Sequence, residues 1–361
     1  MLGPSGPKHW RLTVALAAVV VSIGALGSSS VAGRPPVIGR PVIVASNTAG
    51  ELAIVEPVGS TTGVPVNVGG PAALFVTSQD RSPVLVYVAP EWGSRDGKVM
   101  AFEVVGTTLR LRRTLDLGGT GSVHIALAPS RNQLLVSHYR TGSVSVVSLD
   151  RSGLPKSSTT ISLPRPNSKT HAALFVGSTV ALVTDVAHDE IQVLELKGAP
   201  RFADPIMVRA GDKPRSMAML ETGGVLVTNQ RSNSVSCLRL QNDSWREMGR
   251  TVLDDQTANV GAKAGIPADI VPVAKDAVAV VNRGPDEVII ISVSSGCDLR
   301  VASRTPSGAK RPRALAPVGA TLFVSHELGP LVALEDGRVT ARLWNDRKVW
   351  SVARSDSGLR S

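Results

Sequence analysis

The sequence predicts an all-β fold, a seven-bladed β-propeller that follows an N-terminal targeting segment. Three observations predict it. A short β-branched run ending in a polar residue recurs seven times. Most copies are followed by a Gly, Asn, Asp or Ser turn and then an alternating strand. After residue 32 no apolar period of about 3.6 residues runs for three turns, so helices are not expected.

The copies lie at residues 42–47, 85–90, 134–138, 182–185, 225–229, 278–282 and 322–326. Their last positions are Asn47, Pro90, His138, Asp185, Asn229, Asn282 and His326, in steps of 43 to 53 residues. That spacing is the length of a four-stranded propeller blade. Alternating strands follow at residues 143–147, 190–194, 234–238 and 287–291. The first copy begins at its second strand, so its inner strand must come from the C-terminal end. Lys348-Val349-Trp350-Ser351-Val352 is the candidate closing strand.

Residues 1–32 read as a signal peptide: Lys8 and Arg11 precede an apolar stretch from Leu12 to Leu26, and Ser30 and Ala32 sit at the −3 and −1 positions of a cleavage site. The stretch is short for a membrane span of about 20 residues, with an uncleaved anchor as the alternative. No stable span is expected after cleavage. Residues 33–40, with Pro35 and Pro36, read as a linker, and residues 41–361 as the propeller. The expected location is secreted, periplasmic or on the cell surface. Cys237 and Cys297 would then lie outside a reducing cytosol, either paired as a disulfide or packed as two small apolar side chains.

Composition narrows the function. The 361 residues are 43% hydrophobic and 19% charged, with mean hydropathy +0.12, which excludes a disordered chain. One long apolar run excludes a polytopic membrane protein. Aromatics at 3% argue against a stacking platform for single-stranded nucleic acid, and two cysteines exclude a cysteine-only zinc site. The net charge is +10, or +8 once residues 1–32 with Lys8 and Arg11 are removed. No Lys/Arg run of five occurs, so the basic bias suits a soluble monomer that binds a small anionic ligand, not nucleic acid. No cofactor is called for. Asp185 and Asp189 near His188 read as a solvated turn, and Asn242-Asp243-Ser244 is a glycosylation acceptor only in a eukaryotic secretory path.

Hairpin register brings polar residues together. A constant index sum places Arg215 opposite Gln230 about a Thr222-Gly223 turn, and His124 opposite Tyr139 about Arg131-Asn132. The same rule brings His171 near Thr184 and Asp185, Asp269 near Arg283, and Arg313 near Glu327, with Glu91 at an equivalent strand end. These points ring one mouth of a propeller channel. Guanidinium groups there suit a carboxylate or phosphate. The insertion 254–267 is the longest, and is a candidate lid.

At these residues the chain resembles the seven-bladed propeller lactonases of the 6-phosphogluconolactonase and carboxymuconate-cyclase type, over roughly residues 41–335. Val123-His124-Ile125 through Tyr139, Ala268-Asp269-Ile270 with Asn282-Arg283-Gly284, Pro214-Arg215 and Pro312-Arg313 carry the resemblance. It implies catalytic groups at His171, Arg215, Gln230 and Arg283, and substrate contacts from His124, Tyr139, Asp269, Arg313, Glu327 and Glu91. Gln230 stands where the family has Glu, and an amide cannot act as a general base. Ser216 replaces a second family histidine. Two functions are open: an exported lactonase-like hydrolase acting on an acidic lactone, and a non-catalytic propeller binding an anionic glycan, peptide or protein partner.

Overall fold

In a computed structural model, described over residues 42–55, 61–77, 83–91, 97–253 and 264–355, the chain forms seven antiparallel sheets of four strands each. Blades 2 to 7 run outward in chain order from the inner strands Ala72–Val76, Ser122–Leu127, Thr170–Phe175, Pro214–Met219, Ile266–Ala274 and Pro312–Val318. Blade 1 takes its inner strand, Val349–Arg354, from the far end of the chain and pairs it with Ile43–Asn47. This is the closing strand anticipated at 348–352. Each inner strand lies beside the next, and Pro312–Val318 meets Val349–Arg354, so the ring closes. The signal peptide and linker lie outside the described residues, as does 254–263 of the candidate lid.

The apolar runs are continuous because both faces of each blade are covered. Along Val225–Asn229 of blade 5, Val225 and Val227 pack on blade 4, while Leu226 packs on blade 6. In Ala277–Arg283 of blade 6, Val278 and Val280 face blade 5, and Ala279 and Val281 face blade 7. The core is thus seven separate apolar seams, one between each pair of neighbours. Each has a period-two strand on either side.

Where the second strand turns into the third, left-handed backbone is needed, and Gly142, Asp189, Asn233 and Asp286 supply it. At Gly142 a Cβ would also run into the Ser168 carbonyl. Two of these turn residues do a second job. Asp189 accepts the amides of Gly211 and Lys213, and Asp286 accepts that of Arg311, so a turn in one blade fixes the entry to the next blade's inner strand.

The polar ends of the second strands are buried and hydrogen-bonded. His138 bonds Ser122 Oγ at 3.1 Å and Ser145 Oγ at 2.7 Å. Asp185 accepts from Ser168 Oγ and the Lys169 and Ala187 amides, and pairs with His188. Asn229 donates to Ser234 and Ser236, and Asn282 donates to Glu287. Hydrogen bonds of this kind fix where a strand may end, although the side-chain oxygens of Asn229 and Asn282 are buried without a partner among the described residues.

Cys237, in the third strand of blade 5, is bonded to Cys297, in the last turn of blade 6, and both are fully buried. Of the two states the sequence left open, the structure has the pair. The link spans 60 residues and crosses the seam between blades 5 and 6. Chain-entropy reasoning for a loop of that length gives a stabilisation of about 4 kcal/mol. A Cys237→Ala/Cys297→Ala variant is therefore expected to unfold at lower urea, with stability reduced by about 3–4 kcal/mol. An unchanged urea midpoint would show that the cross-link adds nothing.

Candidate functional site

Seven residue pairs mark one mouth of the channel, each joining an inner-strand start to a second-strand end. They are Val349–Asn47, Ala72–Pro90, Ser122–His138, Thr170–Asp185, Pro214–Asn229, Pro267–Asn282 and Pro312–His326. One residue beyond each second-strand end stands an outer tier that includes Glu91, Tyr139, Gln230, Arg283 and Glu327. One residue into the inner strands stands a deeper tier that includes His171, Arg215, Arg313 and Trp350. The outer tier is held by its backbone: the amides of Glu91, Tyr139, Gln230 and Glu327 donate to the carbonyls of Pro71, Gly121, Lys213 and Arg311, just before each inner strand.

The deeper tier sits at bulges. The ladder slips between Ser122 and His124, Thr170 and Ala173, Pro214 and Met217, Pro267 and Ile270, and Pro312 and Ala314. An extra residue on the inner strand increases its twist and re-aims the side chains. These bulges correct three register expectations. His124 lies opposite Ser137, not Tyr139, and its Nδ1 accepts the Ala173 amide of blade 4 at 3.4 Å. Tyr139 instead meets His171 edge-on, with ring centroids 6.3 Å apart. Asp269 does not join Arg283, whose ladder partner is Ile266. The Asp269 carboxylate accepts from Ser216 Oγ of blade 5 and from the amides of Ile270 and Leu315, so it ties three blades together. Arg215 has no direct ladder partner, yet its guanidinium still reaches Gln230 Oε1 at 3.2 Å.

Around the ring the contacts run from blade to blade. Glu91 accepts from Arg313 at 3.0 Å and from the Trp350 indole at 2.7 Å. Arg313 lies over the Trp350 ring, 3.7 Å from its centroid. Glu327 accepts from Arg283 at 3.0 Å, Arg313 at 3.2 Å and Arg311 at 2.7 Å. Trp350 and Arg311 were missed in the sequence. The signal for Trp350 was its place one residue after the start of the closing strand, equivalent to His171, Arg215 and Arg313.

The electrostatics follow from burial of like charges. Burial, then the charges of Arg215, Arg313, His124 and Arg283, hold His171 well below the usual imidazole range, so it is neutral at pH 7. Burial, then Arg283 and Arg313, press Arg215 down, against Glu327 and Glu91. Burial raises Glu327, but the Arg311 bond and the charges of Arg283 and Arg313 outweigh it and leave that carboxyl low. Burial raises Asp269 despite its amide and Ser216 bonds. Five side-chain nitrogens are buried with no hydrogen-bond partner among the described residues: His171 Nδ1, Arg215 Nε and Arg283 Nε on consecutive blades at the mouth, and also Arg239 Nε and His326 Nε2. No group of three metal-ligating side chains occurs among the described residues.

A sequence profile described as "Lactonase, 7-bladed beta-propeller" matches residues 58–334. No curated protein matches the chain. Among solved structures, the periplasmic gluconolactonase of Pseudomonas aeruginosa is similar at 16% identity and TM-score 0.74, covering 88% of this chain and 99% of that one. A Lactobacillus plantarum protein is similar at 16% identity and TM-score 0.73, with 88% and 99% covered. Virginiamycin B lyase of Staphylococcus aureus is more distant, at 13% identity and TM-score 0.55, covering 75% and 84%.

Burial holds His124 and His138 each at about 4, well under the ordinary 6.5. The unfolded chain therefore takes up protons first as pH falls. Their contribution to stability is fully present above pH 6.5 and is lost between there and about pH 4. His138, fully buried, accounts for about 3 kcal/mol of that decline. Calorimetric Tm measured from pH 7 to 4 should fall steeply, and His138→Gln should flatten the slope. An equal slope in the variant would exclude His138 as its source.

Proposed function

From the premise that the chain belongs to the seven-bladed β-propeller lactonase family, we propose that it is an exported hydrolase of an acidic, sugar-acid type lactone, acting at this mouth. One observation carries the reading: His171 Nδ1, Arg215 Nε and Arg283 Nε are buried without partners on consecutive blades, among guanidinium groups that outnumber the carboxylates they bond. Buried donors without partners are costly unless a ligand completes them. The export component is supported by the character of residues 1–32 and by the periplasmic location in the name of the Pseudomonas aeruginosa protein.

In this reading the substrate's acidic group rests on the guanidinium groups and its lactone carbonyl points towards them. Water attacks the carbonyl carbon and passes a proton to neutral His171. The carbonyl π electrons move to oxygen, where Arg215 and Arg283 stabilise the negative charge without rearranging. The oxyanion then re-forms the carbonyl as the ring C–O bond breaks, the expelled alkoxide takes the proton held by His171, and a hydroxy acid leaves. His171 serves as base because its low pKa keeps it unprotonated, though this also makes it a weak base. Gln230 holds Arg215 in place by its amide oxygen and takes no part in proton transfer.

That same Gln230 favours a second reading, a propeller that binds an anionic glycan, peptide or partner without chemistry. Hydrolysis of an aldonolactone panel by the mature chain separates the two. The lactonase reading expects turnover, with Arg215→Ala and His171→Ala each lowering kcat/KM by about a hundredfold or more. Because His171 titrates below its ordinary value, kcat/KM should be flat through neutrality and decline only on the acid side. No turnover, or turnover unchanged in both variants, overturns catalysis. A rise in Tm with sugar acids that weakens with salt, without turnover, establishes binding alone.

A further inference from the structure

The mouth has more guanidinium groups than carboxylates to match them, and the surplus is not shared evenly. Arg215, Arg283, Arg311 and Arg313 face Glu91, Glu327 and Asp269, which leaves one positive charge among these side chains. His124 and His171 add nothing, being neutral at pH 7. Glu327 bonds three of the arginines, and Glu91 bonds Arg313 a second time. Both carboxylates are largely buried and their backbone amides are tied to the neighbouring strand entry, so neither swings away freely. Asp269 has turned its oxygens to Ser216 and two amides. Arg215 alone has an uncharged side-chain partner, Gln230.

Arg215 is therefore the one arginine of the four whose side chain bonds no carboxylate directly, and the other three are already engaged by Glu327 and Glu91. We propose that Glu327, supported by Glu91, is a specificity-determining residue that limits the mouth to ligands with a single carboxylate and rejects phosphorylated acids. The inference rests on the reading of the mouth as an acid-lactone site and adds the class of acid. A carboxylate on Arg215 completes the charge balance. A phosphate on the same ligand would need Arg283 or Arg313, and both lie against Glu327, whose negative charge would face the phosphate across a short, poorly screened gap. Specificity of this kind comes from a built-in repulsion, with a fit to the favoured ligand beside it.

The probes are gluconate and 6-phosphogluconate, titrated calorimetrically into the mature chain. The wild type should bind gluconate about tenfold or more tightly than the phosphorylated acid. Glu327→Gln removes the repelling charge and frees Arg283 and Arg313, so the ratio of the two dissociation constants should move about tenfold towards the phosphorylated acid. Glu91→Gln should move it in the same direction and less, and it provides the comparison if Glu327→Gln does not fold. A wild type that prefers 6-phosphogluconate overturns this inference and leaves the proposed function standing. So does a ratio unchanged in a folded variant. Binding of neither acid by the wild type overturns both.

Discussion

The constraint on which the rest of the structure depends is that both faces of every blade must be covered by a neighbour. A sheet made of Val278-Ala279-Val280-Val281 has no face it can offer to water, so it needs blade 5 on one side and blade 7 on the other. Repeated seven times, this demand has one solution without an exposed end, a closed ring. It explains why the apolar content is spread evenly along the chain and why few large aromatics are needed. Each seam is thin and is filled by Val, Ile, Leu and Ala, with Tyr87, Phe102 and Phe323 as the largest fully buried groups. The disulfide lies in the seam between blades 5 and 6.

The same constraint explains where the polar groups go. Blades that bury both faces leave side chains free only at strand ends, and there the inner strands converge. Asn47, His138, Asp185, Asn229 and Asn282 direct their side-chain hydrogen bonds within their own blades or to the adjoining strand entries. Their next neighbours in sequence are not needed for that task. Glu91, Tyr139, Gln230, Arg283 and Glu327 form the rim, and they differ from blade to blade. A repeated scaffold thereby presents an unrepeated set of side chains. The charges on this rim do not cancel locally, which separates a candidate site from an ordinary set of surface ion pairs.

The blade count was legible because a doubly buried strand writes a Val/Ile-rich run into the sequence, and its buried polar terminus adds a second mark at a steady interval. The closing strand was legible by subtraction, since the first copy lacked an inner strand. The contact of Arg313 with Glu327 could be inferred from register, and so could that of Arg215 with Gln230, although the latter arises from a long side chain reaching past a slipped ladder. The bulges themselves were not legible. Each adds one residue to an inner strand without a Gly or Pro that marks it uniquely. They fall at the mouth, so the errors concentrate there: His124 moves to face Ser137 and blade 4, and Asp269 moves away from Arg283 to Ser216 and Leu315. Trp350 was hidden for another reason. It lies 259 residues from Glu91, which it contacts, and only ring closure brings the two together.

Ring closure by Val349–Arg354 also orders events in time. The strand that seals the circle carries the indole that grips Glu91 and stacks on Arg313, so a partly made chain can fold blades 2 to 6 yet still lack a finished rim. Without Val349–Arg354, Ile43–Asn47 would have an unpaired edge and Glu91 would lack its indole partner, so the seal of the ring and the shape of the rim depend on the same strand.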